Sequence, residues 1–268
     1  MTVVDDHELA CQLAREAGQR LLTLRATGDM SAEALRNAGD RQSHEYLMTE
    51  LALVRPDDAV LSEEGTDDQA RLAARRVWIV DPLDGTREFG EPGRTDWAVH
   101  VALWQDGELT AGAVALPAQD RVLSTWESEQ TPGSDAAAPL RLVVSRSRPP
   151  AFVARLAVDL DAAEVPMGSA GAKAAAVITG QADAYVHSGG QYEWDSAAPV
   201  AVARAAGLHA SRIDGSPLRY NQPDPRLPDL LICRAELAPR LLSAINAAMA
   251  SDPVPLSCGA TPAHGEQS

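Results

Sequence analysis

The sequence predicts an α/β (α+β) protein: an antiparallel sheet in its N-terminal part, then a smaller C-terminal α/β unit. Three patterns point there. Leu9, Leu13, Ala17, Leu21 and Leu24 recur at helical spacing near residues 6–25. Two apolar runs, Trp97 to Trp104 and Leu109 to Leu116, flank Gln105-Asp106-Gly107-Glu108, and Asp-Gly supplies the positive φ angles of a tight hairpin. Beyond residue 139, short apolar runs alternate with helical stretches, which layers helices on sheets.

In chain order, the first helix over 6–25 is followed by a second that starts near Asp40, a good N-cap, and stops before Arg55-Pro56. Strands are expected at Ala59–Ser62 and Val77–Val80, then the hairpin, with Arg121 to Trp126 extending the same sheet. Residues 127–139 are polar, small and broken by proline, and read as a loop or crossover. The second unit runs as strand (Leu140–Val144), helix, short strand near Val165, helix (Ala170–Thr179), strand (Ala182–His187) and helix (Asp195–Ala206). Strands near 209–213 and 228–233 and a helix over 236–250 close it. The expected division is an N-terminal α+β part over 1–138, a C-terminal α/β part over 139–250 and a flexible tail over 251–268, rich in Pro, Gly and Ser.

At 268 residues and 45% hydrophobic composition the chain can bury a sizeable core. A net charge of -15 and the lack of a basic stripe exclude a nucleic-acid polymer as partner. An anionic ligand would need a local reversal of sign, by a metal, a helix N-terminus or a placed cation. Cys11, Cys233 and Cys258 form no CxxC pair and read as reduced thiols. The N-terminus lacks the basic and apolar regions of a signal peptide, and no apolar run has the ~18–20 residues of a membrane helix, so a cytoplasmic protein without membrane partners is expected.

The chemistry concentrates at Asp81-Pro82-Leu83-Asp84-Gly85-Thr86, directly after the apolar run Val77–Val80. The residue before proline is pushed to extended geometry, and glycine lets the backbone turn and expose the amides of Gly85 and Thr86. Acids recur in similar places: Glu63 and Glu64 at the end of another strand, Asp195 behind Trp194 at a helix start, and Asp40 heading an earlier helix. Each alone reads as a solvated turn or a cap; together they read as one constellation. Two carboxylates ~4 Å apart repel by roughly 4 kcal/mol at an effective dielectric of 20, so a shared cation is called for. A shell of carboxylates and carbonyls favours a hard ion, above all Mg²⁺. His44 and His100 do not stand at ligand spacing and read as structural.

Asp81-Pro82-Leu83-Asp84-Gly85-Thr86 resembles the DPxDGT signature of the inositol monophosphatase superfamily of Mg²⁺-dependent, lithium-sensitive phosphatases. Glu63-Glu64 is similar to its upstream acidic pair, and Trp194-Asp195-Ser196-Ala197-Ala198 with Ala205-Ala206-Gly207 to its second signature. Arg87-Glu88-Phe89, Gly168-Ser169-Ala170-Gly171-Ala172-Lys173, Ser145-Arg146-Ser147 and Gly215-Ser216-Pro217-Leu218-Arg219-Tyr220 resemble the CysQ-type 3′(2′),5′-bisphosphate nucleotidases, the actinobacterial branch above all. Two departures stand out: Arg87 takes the place of the usual lysine, and Asn37-Ala38-Gly39 is a loose match to the run before the family's aspartate.

The resemblance implies an αβαβα sandwich of the sugar-phosphatase type and removal of the 3′-phosphate from adenosine 3′,5′-bisphosphate, a by-product of sulfate activation. It implies two to three Mg²⁺ ions: one on Glu63, Asp81 and the carbonyl of Leu83, one on Asp81, Asp84 and Asp195, and a weaker one on Glu63 and water. Thr86, with Asp40 behind it, would align the attacking water, and the amides of Gly85 and Thr86 would hold phosphate oxygens. Glu64 would stand behind the ligands. Arg87, Ser145, Ser169 and Lys173, the chain's only lysine, would meet the second phosphate and the nucleoside, with Tyr192 or Tyr220 against the purine. The ligands Glu63, Leu83, Asp84 and Asp195 would border the substrate too. A homodimer is the oligomer the family favours. Two competing functions are a broad inositol 1-phosphate or fructose 1,6-bisphosphate phosphatase and, in a different class, a non-catalytic nucleotide-binding protein.

Overall fold

A computed structural model describes residues 4–126, 131, 138–147 and 149–251. The first helix, α1 (Asp6–Ala26), begins at Asp5, whose side chain accepts the amide of His7, and it buries Leu9, Leu13, Ala17 and Leu21. The second, α2, spans Ala32–Val54 and is capped by Ser31, which accepts the amide of Ala34. The sequence had placed this start near Asp40. Ala32, Glu33, Ala34, Leu35 and Arg36 are strong helix formers, so the helix extends two turns further back and Asp40 lies in its interior.

The first sheet has the order β1 (Ala59–Ser62), β2 (Arg76–Asp84), β3 (Ala98–Gln105), β4 (Glu108–Leu116), β5 (Arg121–Ser124). Its last three pairings are antiparallel, but β1 and β2 run parallel, so the sheet is mixed rather than antiparallel throughout. The cause is the connection over 63–75, with a 3-10 turn at Gln69–Ala73, which carries the chain back to start β2 in the same direction. The β3–β4 hairpin closes on Asp106 (φ 50°) and Gly107 (φ 101°), the positive pair its Asp-Gly signals. A short helix, α3 (Thr86–Gly90), follows β2.

The second sheet contains β6 (Leu140–Ser145), β7 (Ala162–Met167), β8 (Ala184–Ser188), β9 (His209–Ser211) and β10 (Asp229–Cys233), in the order β7-β6-β8-β10-β9. Its helices are α4 (Ala151–Leu160), α5 (Ala170–Ile178), α6 (Glu193–Ala205) and α7 (Ala238–Ser251).

Both faces of the β2 strand are covered, which explains its unbroken apolar run. Trp78 and Val80 pack toward α1 and α2 with Leu13 and Leu47, while Val77 and Ile79 face a middle layer of α5 and α6 with Ala174, Ala198 and Val200. Val143, Tyr185 and Ile232 cover that layer from the second sheet, whose outer side holds α4 and α7 through Phe152, Leu156, Leu241 and Ile245. The layers run helix, sheet, helix, sheet, helix. Most of the expected crossover over 127–139, and the tail with Cys258, lie outside the described residues. No described helix is long and apolar enough to cross a membrane.

Candidate active site

The site forms where β1, β2, α5 and α6 meet. In β2, pairing with β3 shifts register between Asp81 and Asp84, where Pro82 has no amide to give. The strand therefore continues through Asp84 instead of ending at Val80, and both aspartates are buried. Asp81 accepts the amide of Leu83 at 3.0 Å. Gly85 then turns at φ 84°, and a Cβ there would come within 2.8 Å of the Ser169 Cβ, so only glycine fits. In the first turn of α6, Asp195 accepts the amide of Tyr192 at 2.7 Å; that helix starts at Glu193, two residues before the expected point.

Asp81, Asp84 and Asp195 each offer one oxygen, and the three lie within 4.8 Å of one another. Glu63 stands beside Asp81, open to solvent on one side. Burial first, and then the charge of Asp195, pushes its pKa to about 7. Burial and then Asp84 raise Asp195 to about 6. Burial, followed by Glu63, Asp84 and Asp195, holds Asp81 well above the usual carboxylate range.

Asp84 goes the other way. Burial alone would raise it, but the imidazole of His100, the charge of Lys173 and the amide of Gly171 hold its pKa below the ordinary value. Its oxygens accept the amides of Ala170 (3.1 Å) and Gly171 (2.6 Å) at the head of α5. An oxygen-only donor set, in which burial and mutual repulsion outweigh the help that His100 and Lys173 give Asp195 and keep Asp81 and Asp195 raised, fits a hard divalent ion.

Thr86 connects this cluster to Asp40. The Thr86 hydroxyl lies 3.2 Å from Asp40 Oδ1 and 3.0 Å from the carbonyl oxygen of Leu83, and can donate to either. Burial and then the nearby Glu64 raise Asp40 to about 6. Asp40 thus reaches the site from the middle of a helix, not from its cap. Glu64 is exposed beside Glu63.

A cleft of about 770 Å³ opens beside these groups; of the residues expected at the site it is lined by Asp84, Gly85, Thr86, Arg87, Ser145, Ser169, Lys173 and Asp195, but not by Asp40, Glu63, Asp81 or Leu83. Arg87 is exposed, 3.9 Å from Glu91. Ser169 caps α5 and accepts the amide of Ala172 at 2.8 Å. The Lys173 ammonium is buried and turned back on the carbonyls of Gly168 and Ser169, 5.3 Å from the Tyr185 ring. Tyr192 stacks on Trp194, with ring centroids 4.7 Å apart. Tyr220 is buried in the middle layer with its hydroxyl 3.2 Å from Ser196 Oγ, and has no face for a purine.

Three features escaped the sequence. The loop over 187–191 lines the cleft, and Gly189-Gly190 after a strand was its only signal. Buried Arg71 clasps Asp67, Asn221 and the carbonyl of Gln222, while Glu193 accepts the amides of Asn221 and Gln222, tying the segment after Glu63 to the start of α6. His100, read as structural, is fully buried with Nε2 3.2 Å from Asp84 Oδ2. His44 bonds Ser62 at 3.0 Å, next to Glu63.

The "Inositol monophosphatase family" profile matches residues 5–250. A Mycobacterium bovis protein described as 3'-phosphoadenosine 5'-phosphate phosphatase is 56% identical over 238 residues, covering 86% of this chain and 89% of its own length. The 3'(2'),5'-bisphosphate nucleotidase CysQ of Escherichia coli K12 is 34% identical over 227 residues, covering 78% of this chain and 92% of its own length. Among solved structures, CysQ from Bacteroides thetaiotaomicron superposes with a TM-score of 0.74 at 28% identity, over 86% of this chain and 97% of that one.

Proposed function

The chain belongs to the inositol monophosphatase family, and from that premise we propose that it is a Mg²⁺-dependent phosphomonoesterase that removes the 3′-phosphate of adenosine 3′,5′-bisphosphate, leaving AMP and inorganic phosphate. The observation that carries the chemistry is the meeting of Asp81, Asp84 and Asp195 within 4.8 Å, with Asp84 and Asp195 lining the cleft. The choice of nucleotide is supported by the 56% identical relative described as acting on that compound.

Asp81, Asp84 and Asp195, with Glu63 and the carbonyl of Leu83, are the residues that would hold the metal. When bound, divalent ions neutralise the phosphate and polarise its phosphorus–oxygen bonds. The chain's own groups do the rest. Thr86 donates a hydrogen bond to Asp40 and keeps its proton, which leaves the hydroxyl lone pairs to accept from a water and orient it for attack on phosphorus. The phosphorus–ribose oxygen bond breaks as the water oxygen bonds to phosphorus; one water proton ends on the ribose oxygen, giving a free hydroxyl, and the other stays on the released inorganic phosphate. The amides of Gly85 and Thr86, at the turn into α3, hold phosphate oxygens. Arg87 and Ser145 border the far part of the cleft, where the second phosphate and the nucleoside extend. Lys173 acts from below, shaping the turn that carries Ser169.

The test is a comparison of kcat/KM with Mg²⁺ for adenosine 3′,5′-bisphosphate, inositol 1-phosphate and fructose 1,6-bisphosphate. Preference for the nucleotide by tenfold or more, about 1.4 kcal/mol of transition-state binding, is expected. Equal values would transfer the assignment to a broad sugar phosphatase, and no Mg²⁺-dependent phosphate release would leave only a binding protein.

A further inference from the structure

Position 100 lies on the inner face of β3 between Ala98 and Ala102, in the apolar middle layer, where an aliphatic side chain would satisfy packing. A fully buried imidazole there is costly unless both nitrogens find partners. His100 finds them on two other elements. Its Nδ1 lies 3.1 Å from the carbonyl oxygen of Trp194, the peptide that leads into Asp195. Its Nε2 lies 3.2 Å from Asp84 Oδ2, off the line of an ideal hydrogen bond. In the sheet, His100 is the direct cross-strand partner of Asp81. The space for the ring comes from Gly171, where any Cβ would collide with Nε2 and would lie 2.9 Å from the Ala98 Cβ.

One ring thus stands opposite the first aspartate, touches the second and holds the backbone beside the third. We propose that His100 is a positioning residue that fixes the separation of Asp84 from Asp195 and so presets the metal-holding geometry. The proposal rests on the assignment of these aspartates as metal-holding groups. His100 does not itself hold the metal: its nitrogens point at Asp84 and Trp194. Two contacts on two elements, rather than space filling, set its role, in the way that groups behind metal-binding side chains tune affinity.

The experiment titrates the full chain with Mn²⁺ at about pH 8, following free Mn²⁺ by electron paramagnetic resonance and heat by calorimetry, alongside the Mn²⁺ dependence of hydrolysis. The proteins are wild type, Asp84→Asn, His100→Ala, His100→Asn and His100→Gln. Far-UV circular dichroism and melting in EDTA check the fold. Asparagine can reach the Trp194 carbonyl but not Asp84, whereas glutamine places an amide near the Nε2 position. The expected result is loss of binding in Asp84→Asn and binding weakened about 10–100-fold in His100→Ala, with His100→Asn and His100→Gln also weakened because each keeps only one of the two contacts. At saturating Mn²⁺ their kcat should recover, which a general loss of folded protein would not allow. Should His100→Ala not fold, the Asn and Gln variants decide.

If Asp84→Asn loses binding while His100→Ala and His100→Asn bind like wild type, the proposal is overturned. A glutamine variant that binds like wild type would overturn it too, since the Trp194 contact would then be dispensable. If wild type does not bind, or Asp84→Asn binds equally well, the metal assignment itself has failed.

Discussion

Replacing Asp195 by asparagine is expected to make the metal-free protein more stable at about pH 8 while abolishing hydrolysis. Asp195 is crowded by Asp81 and Asp84, and its pKa rises from 3.8 to about 6, by burial first and then by the charge of Asp84. A carboxyl raised on folding contributes most to stability below its unfolded pKa and loses that contribution as pH climbs through the folded value. A rise of about two, at about 1.4 kcal/mol each, makes the ionised group a burden of about 3 kcal/mol at pH 8. Asparagine removes the charge and keeps an oxygen for the amide of Tyr192. At about 2–4 °C per kcal/mol for a chain of this size, melting in EDTA should rise by several degrees. The gain should shrink toward zero as pH falls to about 4, where both proteins are neutral at this position. Added Mg²⁺ should reverse the order, because only the wild type gains full binding free energy. Calorimetric melting of both proteins at three pH values, with EDTA or Mg²⁺, measures all of this. An asparagine variant that is no more stable than wild type in EDTA at pH 8, or a difference that ignores pH, would refute the reasoning.

Asp84→Asn should behave in the opposite way. Its carboxylate is stabilised by the amides of Ala170 and Gly171 and by His100, so its charge contributes to stability above the unfolded pKa and is lost as pH falls through a lower one. The variant should lose about 2 kcal/mol at neutral pH even in EDTA, as well as its activity, on the scale of hydrogen bonds to charged groups; equal stability in urea titrations would contradict this. Metal affinity should rise from about pH 6 to about pH 8, as Asp195 (about 6) and Glu63 (about 7) shed the protons they hold without metal. Calorimetry in buffers of different ionisation heat should register proton release on binding near pH 6.5, and a pH-independent affinity would count against the crowding of these acids.

The fold was legible wherever a local rule decided it. Asp106-Gly107 demanded a hairpin and formed one, and the covered faces of β2 followed from its unbroken apolar run. Two elements were misplaced because two local rules competed. Asp40 resembles an N-cap, but Ser31 caps equally well and good helix formers fill the gap, so the longer helix wins. The direction of β1 relative to β2 depends on a crossover whose path no residue over 63–75 announces. At the site, the spacing and chemistry of the acids pointed to Asp81, Asp84, Glu63 and Asp195, of which the structure brings Asp81, Asp84 and Asp195 within 4.8 Å of one another. What stayed hidden were groups defined by partners from distant segments. A lone histidine between two alanines reads as core, and nothing near it in the sequence reveals Asp84 or Trp194. Lys173 was legible as exceptional, but not that its ammonium turns inward onto the carbonyls of Gly168 and Ser169.

The site's charges are unevenly compensated, and that unevenness is what a metal ion can exploit. Asp84 is already neutralised by two helix amides, an imidazole and the field of a buried lysine, so it is fixed in place before any ion arrives. Asp81, Asp195 and Glu63 receive no comparable help, and their raised pKa values record the cost of holding them together. An ion that binds all four therefore gains little from Asp84 by relief of repulsion and most from the other three. Asp84 contributes a ligand already fixed in place, so its loss still costs binding; relief of repulsion comes from the other three. A protein with net charge -15 would admit an anionic phosphate here on far better terms with the ion bound, because without it Asp81, Asp195 and Glu63 bring negative charge with little compensation to the site.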